Sequence, residues 1–346
     1  MKKLITFFLL AALLAFPASA SELTAPTVPD SAREFMPSDP QSLSQGIREV
    51  LREVLVHIRP DLKEAAGVCL GIIAACMILC VLQSFPGTPQ NAVNLAGTVI
   101  IGLLLLESTH SMVHLGSSTV REVSEYGKLL LPVMTTALAA QGGVTVSAAL
   151  YAGTAVFDAV LSGLISRILI PMVYIFLALC ICCSAIGEDL LKKLRDLIRS
   201  GALWILKTLL YVFTGYISLT GVISGTTDAT ALKAAKMTIS GVVPVVGGIL
   251  SDASEAVLVG AGTVKNAVGL YGMFAIIAIW IGPFLKLGVH YLLLKLTGLL
   301  CGVFSCKQVT ALVEDFSSAM GLLLAMTGAV CLMLMISMVC FMKGVG

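Results

Sequence analysis

The sequence has too few charged residues for an ordinary water-soluble protein. Charged residues make up 12% of the chain and hydrophobic residues 58%, and the mean hydropathy is +0.98. About a quarter of a typical soluble domain is charged. The chain also lacks a large net charge, because it has 22 basic and 20 acidic residues. We therefore expect no nucleic-acid partner and expect membrane lipid around most of the chain.

Several motifs of catalysis are absent as well. The sequence contains no G-x-x-x-x-G-K-[ST] phosphate loop, no H-E-x-x-H zinc helix and no G-x-S-x-G nucleophile elbow. Glu107, His110 and His114 have the spacing of one helix face, which suits a metal site or, alternatively, a solvated helix end. We predict that the chain is not an enzyme and holds no cofactor and no metal.

The N-terminus has the pattern of a cleavable signal peptide. Lys2 and Lys3 precede an apolar run over residues 4–16, and the small residues Ala18, Ser19 and Ala20 follow it. The run is short for a membrane span, which weakens the alternative of an uncleaved anchor. We predict a signal peptide over residues 1–20 and an extracytoplasmic N-terminus of the mature chain.

Two short segments precede the membrane domain. Residues 21–41 are rich in proline and poor in apolar residues, which predicts an extracytoplasmic tether. Residues 42–64 alternate apolar and charged side chains at helical spacing, which predicts an amphipathic extracytoplasmic helix. Such a helix lies on the membrane or on the rest of the protein, or it offers a docking face to a partner helix.

Residues 66–346 are predicted to form an all-α, polytopic membrane domain. About six apolar runs have the length of a membrane span, and two regions broken by glycine and proline, 129–165 and 239–264, are re-entrant pairs or additional short helices. The six predicted spans are residues 66–82, 92–106, 168–186, 203–223, 267–287 and 319–342.

The spacing of four prolines suggests a parallel internal repeat. Pro132 and Pro171 are 39 residues apart, as are Pro244 and Pro283, so the repeat units are residues 129–223 and 241–342. Chance is the alternative, since few other residues match. We predict helix breaks at Pro132, Pro171, Pro244, Gly247, Gly248 and Pro283.

The basic residues predict the orientation of the chain. Loops rich in lysine and arginine stay in the cytoplasm. The densest cluster, which we also consider a contact for a cytoplasmic partner, is Lys192, Lys193, Arg195 and Arg199.

Five ionisable residues lie within or beside the two broken regions. An ionisable side chain that faces lipid costs several kcal/mol, so these residues line a polar path through the protein or lie in interfacial turns exposed to water. They are Asp158, Arg167, Asp252, Glu255 and Lys265.

Residues 239–269, ISGVVPVVGGILSDASEAVLVGAGTVKNAVG, strongly resemble the central region of the stage III sporulation protein AE family of endospore-forming bacteria. Pro244, Gly247 and Gly248 match the motif. The layout of a signal peptide, an amphipathic segment and several spans is similar over essentially the whole chain. The resemblance implies a subunit of the channel between the mother cell and the forespore, located in the mother-cell membrane around the forespore.

The resemblance also implies partners. Other stage III sporulation proteins are expected, among them an AA-type ATPase on the cytoplasmic side and ring-forming proteins in the intermembrane space. Homo-oligomerisation remains open. The alternative function is a stand-alone secondary transporter, and an intramembrane enzyme is a third class without a recognisable nucleophile and base.

Overall fold

The computed structural model describes residues 25–37, 43–85, 89–242, 247–304 and 307–343. This part of the chain is almost wholly helical, and a π-helical turn, Ile165–Leu169, joins two of the helices. The helices are α1 Asp30–Arg33, α2 Leu43–His57, α3 Arg59–Gln83, α4 Gln90–Ala140, α5 Val144–Leu164, α6 Ile170–Ile186, α7 Asp189–Val242, α8 Gly247–Val303 and α9 Lys307–Lys343.

Six helices among the described residues are long and apolar enough to cross a membrane. They are α3, α4, the continuous pair α5 and α6, and the helices α7, α8 and α9. Each of the six predicted spans falls in a different one of these helices. The prediction of an all-α, polytopic membrane protein is therefore confirmed.

The first broken region, residues 129–165, is a hairpin between long helices. Residues 129–140 are the last turns of α4, and the chain then reverses at residues 141–143 and continues as α5. Gly142 has φ 92° in this turn, a conformation that costs glycine little. The region therefore holds neither a re-entrant pair nor additional short helices, because a single turn joins two membrane helices.

Two of the predicted helix breaks lie inside uninterrupted helices. Pro132 is within α4 and Pro283 is within α8, which corrects the expectation that the helix ends there. Proline is tolerated in membrane helices where neighbouring groups satisfy the freed backbone. Pro171 directly follows the π-helical turn Ile165–Leu169 and lies in the first turn of α6, so the helical hydrogen-bonding pattern changes at this proline while the chain stays helical.

The second predicted break region is only partly described. Helix α8 begins at Gly247, and Gly248 follows in its first turn. Pro244 lies outside the described residues.

The two expected repeat units differ in their helical layout. Residues 129–223 contain the turns at 141–143 and 187–188, whereas the described part of 241–342 from Gly247 onward consists of α8, which ends at Val303, and of α9, which begins at Lys307. The matched proline spacing therefore does not correspond to matched helices. Pro132 and Pro171 lie on separate helices on either side of a turn, while Pro283 lies within a single long helix.

Helix α9 forms the centre of the bundle. It packs against α4, α5, α6, α7 and α8, and 61% of its most apolar stretch is buried, compared with 22% for α3. Helix α3 lies at the periphery, against α4 and α8. Its outward side chains, such as Leu70 and Ile78, are more than 60% exposed, as expected for a surface that contacts lipid.

Side-chain contacts identify the two ends of the bundle. At one end the amide of Gln83 donates to Asn94, and the Cys80 thiol lies 3.0 Å from the carbonyl oxygen of Phe304. At the other end Gln141 lies against Gly262. The turns before α4 and after α8 are therefore at one end, and the turn before α5 is at the opposite end.

The long helices exceed the thickness of a bilayer. Helix α4 has 51 residues and, at 1.5 Å per residue, is about 76 Å long, whereas a hydrocarbon core is about 30 Å thick. Helix α3, with 25 residues, matches that thickness and lies along one half of the bundle. At its start Asp61 pairs with Lys286 of α8 at 2.7 Å, so a charged pair stands at the start of this apolar helix.

The segment before α3 packs along the other half of the bundle. Val50 and Val54 of α2 are buried against Ile281 of α8, and Gly46 lies against the ring of Phe274. Of the two interpretations of the amphipathic helix, the structure favours the one in which its apolar face covers the protein itself.

The described part of the expected tether, residues 25–37, is also packed. Val28 and Ala32 are buried, and the Ser31 hydroxyl donates to Glu122 of α4 at 2.9 Å. Residues 25–37 are therefore part of the fold, which corrects the expectation of a tether over this stretch. The signal peptide, residues 1–20, lies outside the described residues.

We expect replacement of Val50 and Val54 by asparagine to release α2 from α8. Each side chain is at most 2% exposed, and its burial contributes about 1.5 kcal/mol or more. Trypsin should therefore cleave the purified protein after Arg52 much faster. Glu49→Asn changes an exposed position on the same helix and should leave the cleavage rate unchanged. Equal rates for the parent and the double variant would show that α2 is not held by this contact.

Candidate functional site

A buried carboxyl group lies where α4 meets α5. The side chain of Asp158 is only 1% exposed, and the Ser124 hydroxyl of α4 donates to its Oδ2 at 2.6 Å. The exposed Lys128 adds an attractive electrostatic interaction. Oδ1 has no hydrogen-bond partner among the described residues. This carboxyl is therefore incompletely satisfied, which is uncommon for a buried group and typical of functional positions.

Other buried polar side chains lie on the helical turns next to Asp158. Thr154, one helical turn from Asp158 on α5, forms a 2.8 Å hydrogen bond with Ser337 of α9, and both residues are fully buried. The buried hydroxyl of Tyr126 on α4 also has no partner in the described part, but Tyr126 is two residues from Ser124 and therefore lies on another face of α4. The hydrogen-bonded residues form a polar seam between α4, α5 and α9. We define the polar seam as Ser124, Thr154, Asp158 and Ser337.

The five residues of the predicted polar path have different positions. Asp158 lies in the polar seam, whereas Arg167 is exposed in the π-helical turn after α5. Lys265 of α8 is 4% exposed. The side chains of Asp252 and Glu255 lie outside the described part of the structure. A path through all five stays a prediction.

We expect Ser124→Ala to destabilise the protein. The change removes the donor to Oδ2 and leaves the buried carboxyl with neither oxygen hydrogen-bonded, at a cost of about 2 kcal/mol. Thermal unfolding of the purified protein in detergent measures the effect. Ser118→Ala is the matched control on α4, because among the described residues the Ser118 hydroxyl bonds only to the carbonyl of Leu115 on its own helix. Equal melting temperatures for both variants would contradict a role of Ser124 in holding Asp158.

One member of the basic cluster is engaged within the bundle. Arg195 of α7 donates from Nη1 to Oδ2 of Asp315 on α9 at 2.5 Å, and their side chains are 19% and 14% exposed. Arg195 also pairs with Asp196 at 2.9 Å. Its guanidinium therefore links α7 to the central helix, and Arg195 is poorly placed for the predicted contact with a cytoplasmic partner.

The rest of the basic cluster lies on the surface. Lys193 and Arg199 are exposed, and Lys192 forms an exposed pair with Asp189 at 2.8 Å. Leu190 and Leu197 on the same stretch are 76% and 67% exposed. This part of α7 thus presents a surface with both cationic and apolar side chains.

Of the three residues considered for a metal site, His110 contacts a tyrosine and the other two are exposed. The Nδ1 atom of His110 lies 3.0 Å from the Tyr174 hydroxyl of α6, while Glu107 and His114 are exposed. His110 thus contributes to the contact between α4 and α6.

The sequence singled out Asp158 and Arg195 but not their partners. Ser124 is 34 residues from Asp158, and Asp315 is 120 residues from Arg195. Serine and threonine within apolar helices are a general signal of helix contacts in membranes, but that signal does not say which residues meet.

The comparisons with known proteins point to one family. The model of the family described as "Stage III sporulation protein AE" matches residues 35–344, which include α2 through α9. A relative named "Stage III sporulation protein AE", from Bacillus subtilis (strain 168), is 27% identical over 261 residues, which cover 74% of this chain and 65% of the relative. The match thus spans about two thirds of the relative's length.

No solved structure matches the chain. The family match supports a role in sporulation, and the six apolar helices fit a multi-pass membrane protein. The chain belongs to the stage III sporulation protein AE family.

Proposed function

We propose that the chain is a membrane subunit of the channel complex between the mother cell and the forespore, and that this complex is required for endospore formation. The observation that carries the proposal is the family match, which covers nearly the whole helical bundle. The six apolar helices and the polar seam support it, because polar groups inside a membrane bundle are typical of proteins that build passages or transport sites.

The proposed location is the mother-cell membrane around the forespore, with the mature N-terminus outside the cytoplasm. The signal-peptide pattern of residues 1–20 supports this orientation. The turns before α4, after α6 and after α8 are then cytoplasmic, and the turn at residues 141–143 is extracytoplasmic. The basic residues near the start of α7 agree with that assignment under the positive-inside rule.

The proposed partners are other stage III sporulation proteins. An AA-type ATPase on the cytoplasmic side would contact the exposed surface of α7 that carries Lys193 and Arg199. Ring-forming proteins in the intermembrane space would contact the charged face of α2, where Arg52 and Glu53 are exposed. These two surfaces lie on opposite halves of the bundle.

Complementation of a spore-forming strain that lacks its own copy tests the proposal. The parent chain should restore heat-resistant spores, and Lys193→Glu should restore far fewer at an equal amount of membrane protein, since it reverses a charge at the proposed ATPase contact. Lys63→Glu is the matched control, an exposed charge reversal on α3. Failure of the parent chain at a normal membrane level would overturn the function, and full activity of Lys193→Glu would overturn the contact.

The alternative of a stand-alone secondary transporter makes a separate prediction. A transporter reconstituted alone in liposomes accumulates a solute when an ion gradient is applied. A subunit of a complex does not, so solute uptake by the chain alone would favour the alternative.

A further inference from the structure

An amphipathic crevice opens between α3 and α4. Its cavity volume is about 460 Å³, and its base is formed by His290 of α8. Gly71 of α3 is part of the wall, and a side chain at that position would meet no atom of the described residues within 4 Å. The crevice therefore exists partly because α3 carries no side chain there.

The polarity of the crevice changes along the bundle axis. On α3, the acidic Glu64 is followed at helical spacing by the apolar Val68 and Ile72. On α4, the acidic Glu107 is preceded by the apolar Leu104. The polar end lies near the Asp61–Lys286 pair, at the start of α3. Surrounding side chains such as Leu70 and Leu103 are exposed. A bilayer centred on α3 would place the opening where lipid head groups meet acyl chains.

The polar end offers acceptors for a cationic group. Neither Glu64 nor Glu107 has an ion-pair partner among the described residues. His290 is 7% exposed, and its Nδ1 donates to the Lys286 carbonyl at 3.0 Å. An imidazole whose single proton is on Nδ1 presents Nε2 as an acceptor, and Nε2 of His290 has no hydrogen-bond partner in the part of the chain that the structure describes.

The polar end also offers donors. The hydroxyls of Ser108 and Ser111 line the same crevice and can donate to a phosphate oxygen. An ammonium group with three N–H donors fits the two carboxylates and the imidazole Nε2, whereas a trimethylated ammonium has no N–H to donate.

We propose that this crevice binds a phospholipid with a primary ammonium head group. Glu64, Glu107 and His290 Nε2 hold the ammonium, the two serines hold the phosphate, and an acyl chain lies along Val68, Ile72 and Leu104. The alternative occupant is a lysine side chain of a partner protein, which carries the same ammonium group. The lipid is favoured because the apolar end of the crevice continues into the surface that faces the bilayer.

Native mass spectrometry of the full-length purified protein tests the proposal. The protein is loaded from equal mole fractions of phosphatidylethanolamine, phosphatidylcholine and phosphatidylglycerol. We expect phosphatidylethanolamine to be retained about tenfold more than each of the other two lipids, because neither of them can make the charged hydrogen bonds of a primary ammonium. Equal retention of all three lipids would overturn the proposal, and so would displacement of the lipid by a lysine-rich peptide.

Three variants distinguish lipid bound in the crevice from general lipid contact. Gly71→Leu fills the cavity and should reduce retention to background, whereas Gly67→Leu, one turn away on α3 and also in open space, should retain lipid as the parent does. Glu64→Gln with Glu107→Gln keeps the shape of the crevice and should abolish the preference for the primary ammonium. Unchanged preference in this double variant would overturn the proposed recognition even if Gly71→Leu does not fold.

Discussion

Replacing Gly153 with valine should destabilise the protein by about 3 kcal/mol, the upper end of the range for overpacked cores. A side chain on Gly153 of α5 would overlap the ring of Tyr216 on α7. That ring is held by its neighbours, because Phe157 lies 5.8 Å away between ring centroids and the Tyr216 hydroxyl donates to the Ala149 carbonyl at 3.0 Å. The ring can yield only by breaking these contacts.

The matched control is Gly163→Val on the same helix. A side chain at Gly163 meets no atom within 4 Å, so the control carries the same cost in helix propensity without the overlap. Thermal unfolding in detergent should show a large decrease in melting temperature for Gly153→Val and a small one for Gly163→Val. Equal decreases would contradict close packing of α5 against α7.

The second large effect is expected at Arg195 and Asp315. Replacing either residue with alanine should cost about 3 kcal/mol, because each change leaves a partly buried charge without its main partner. Replacing both should cost less than the sum of the single changes, since the orphaned charge is then removed too. Lys193→Ala, at an exposed position two residues away, should cost little.

Unfolding in detergent of the parent, the two single variants and the double variant gives the coupling energy directly. We expect a coupling of about 2 kcal/mol. Additive effects of the two alanine substitutions would show that the contact between α7 and α9 does not stabilise the bundle.

The apolar spans were predictable because lipid imposes a strict requirement. Every backbone group in the hydrocarbon must be satisfied within its own segment, so a long apolar run implies a helix. Residues 66–82 and 319–342 needed no knowledge of their neighbours. The helix ends were less predictable, as α4 continues far beyond residue 106 through a stretch that carries charged residues.

The broken regions were misjudged because proline and glycine have several roles in membrane helices. Pro132 predicted a break, yet α4 continues to Ala140. The neighbouring turn is an ordinary helical turn, in which the hydroxyl of Thr135 also donates to the Leu131 carbonyl at 2.7 Å. The actual reversal depends on Gly142, and its positive φ cannot be distinguished in sequence from the many glycines that sit inside helices.

The polar seam illustrates a different limit. Asp158 was found because a carboxyl group in an apolar run is conspicuous, whereas Ser124 and Ser337 are ordinary residues whose importance depends on which helices meet. Arg167 is exposed, whereas Arg195 is partly buried. The carboxylate of Asp315 faces Arg195, and this partner is 120 residues distant in the chain, so the difference could not be read from the local sequence.

The central claim, that this membrane bundle works as a subunit of a sporulation complex, is tested most directly by affinity purification from sporulating cells. The tagged full-length chain is cross-linked before lysis, extracted with detergent and analysed by mass spectrometry. We predict that other stage III sporulation proteins, including the AA-type ATPase, are recovered with it and are absent when the tag is on an unrelated membrane protein. Recovery of the chain without any sporulation protein, at normal expression and with cross-linking verified, would contradict the claim.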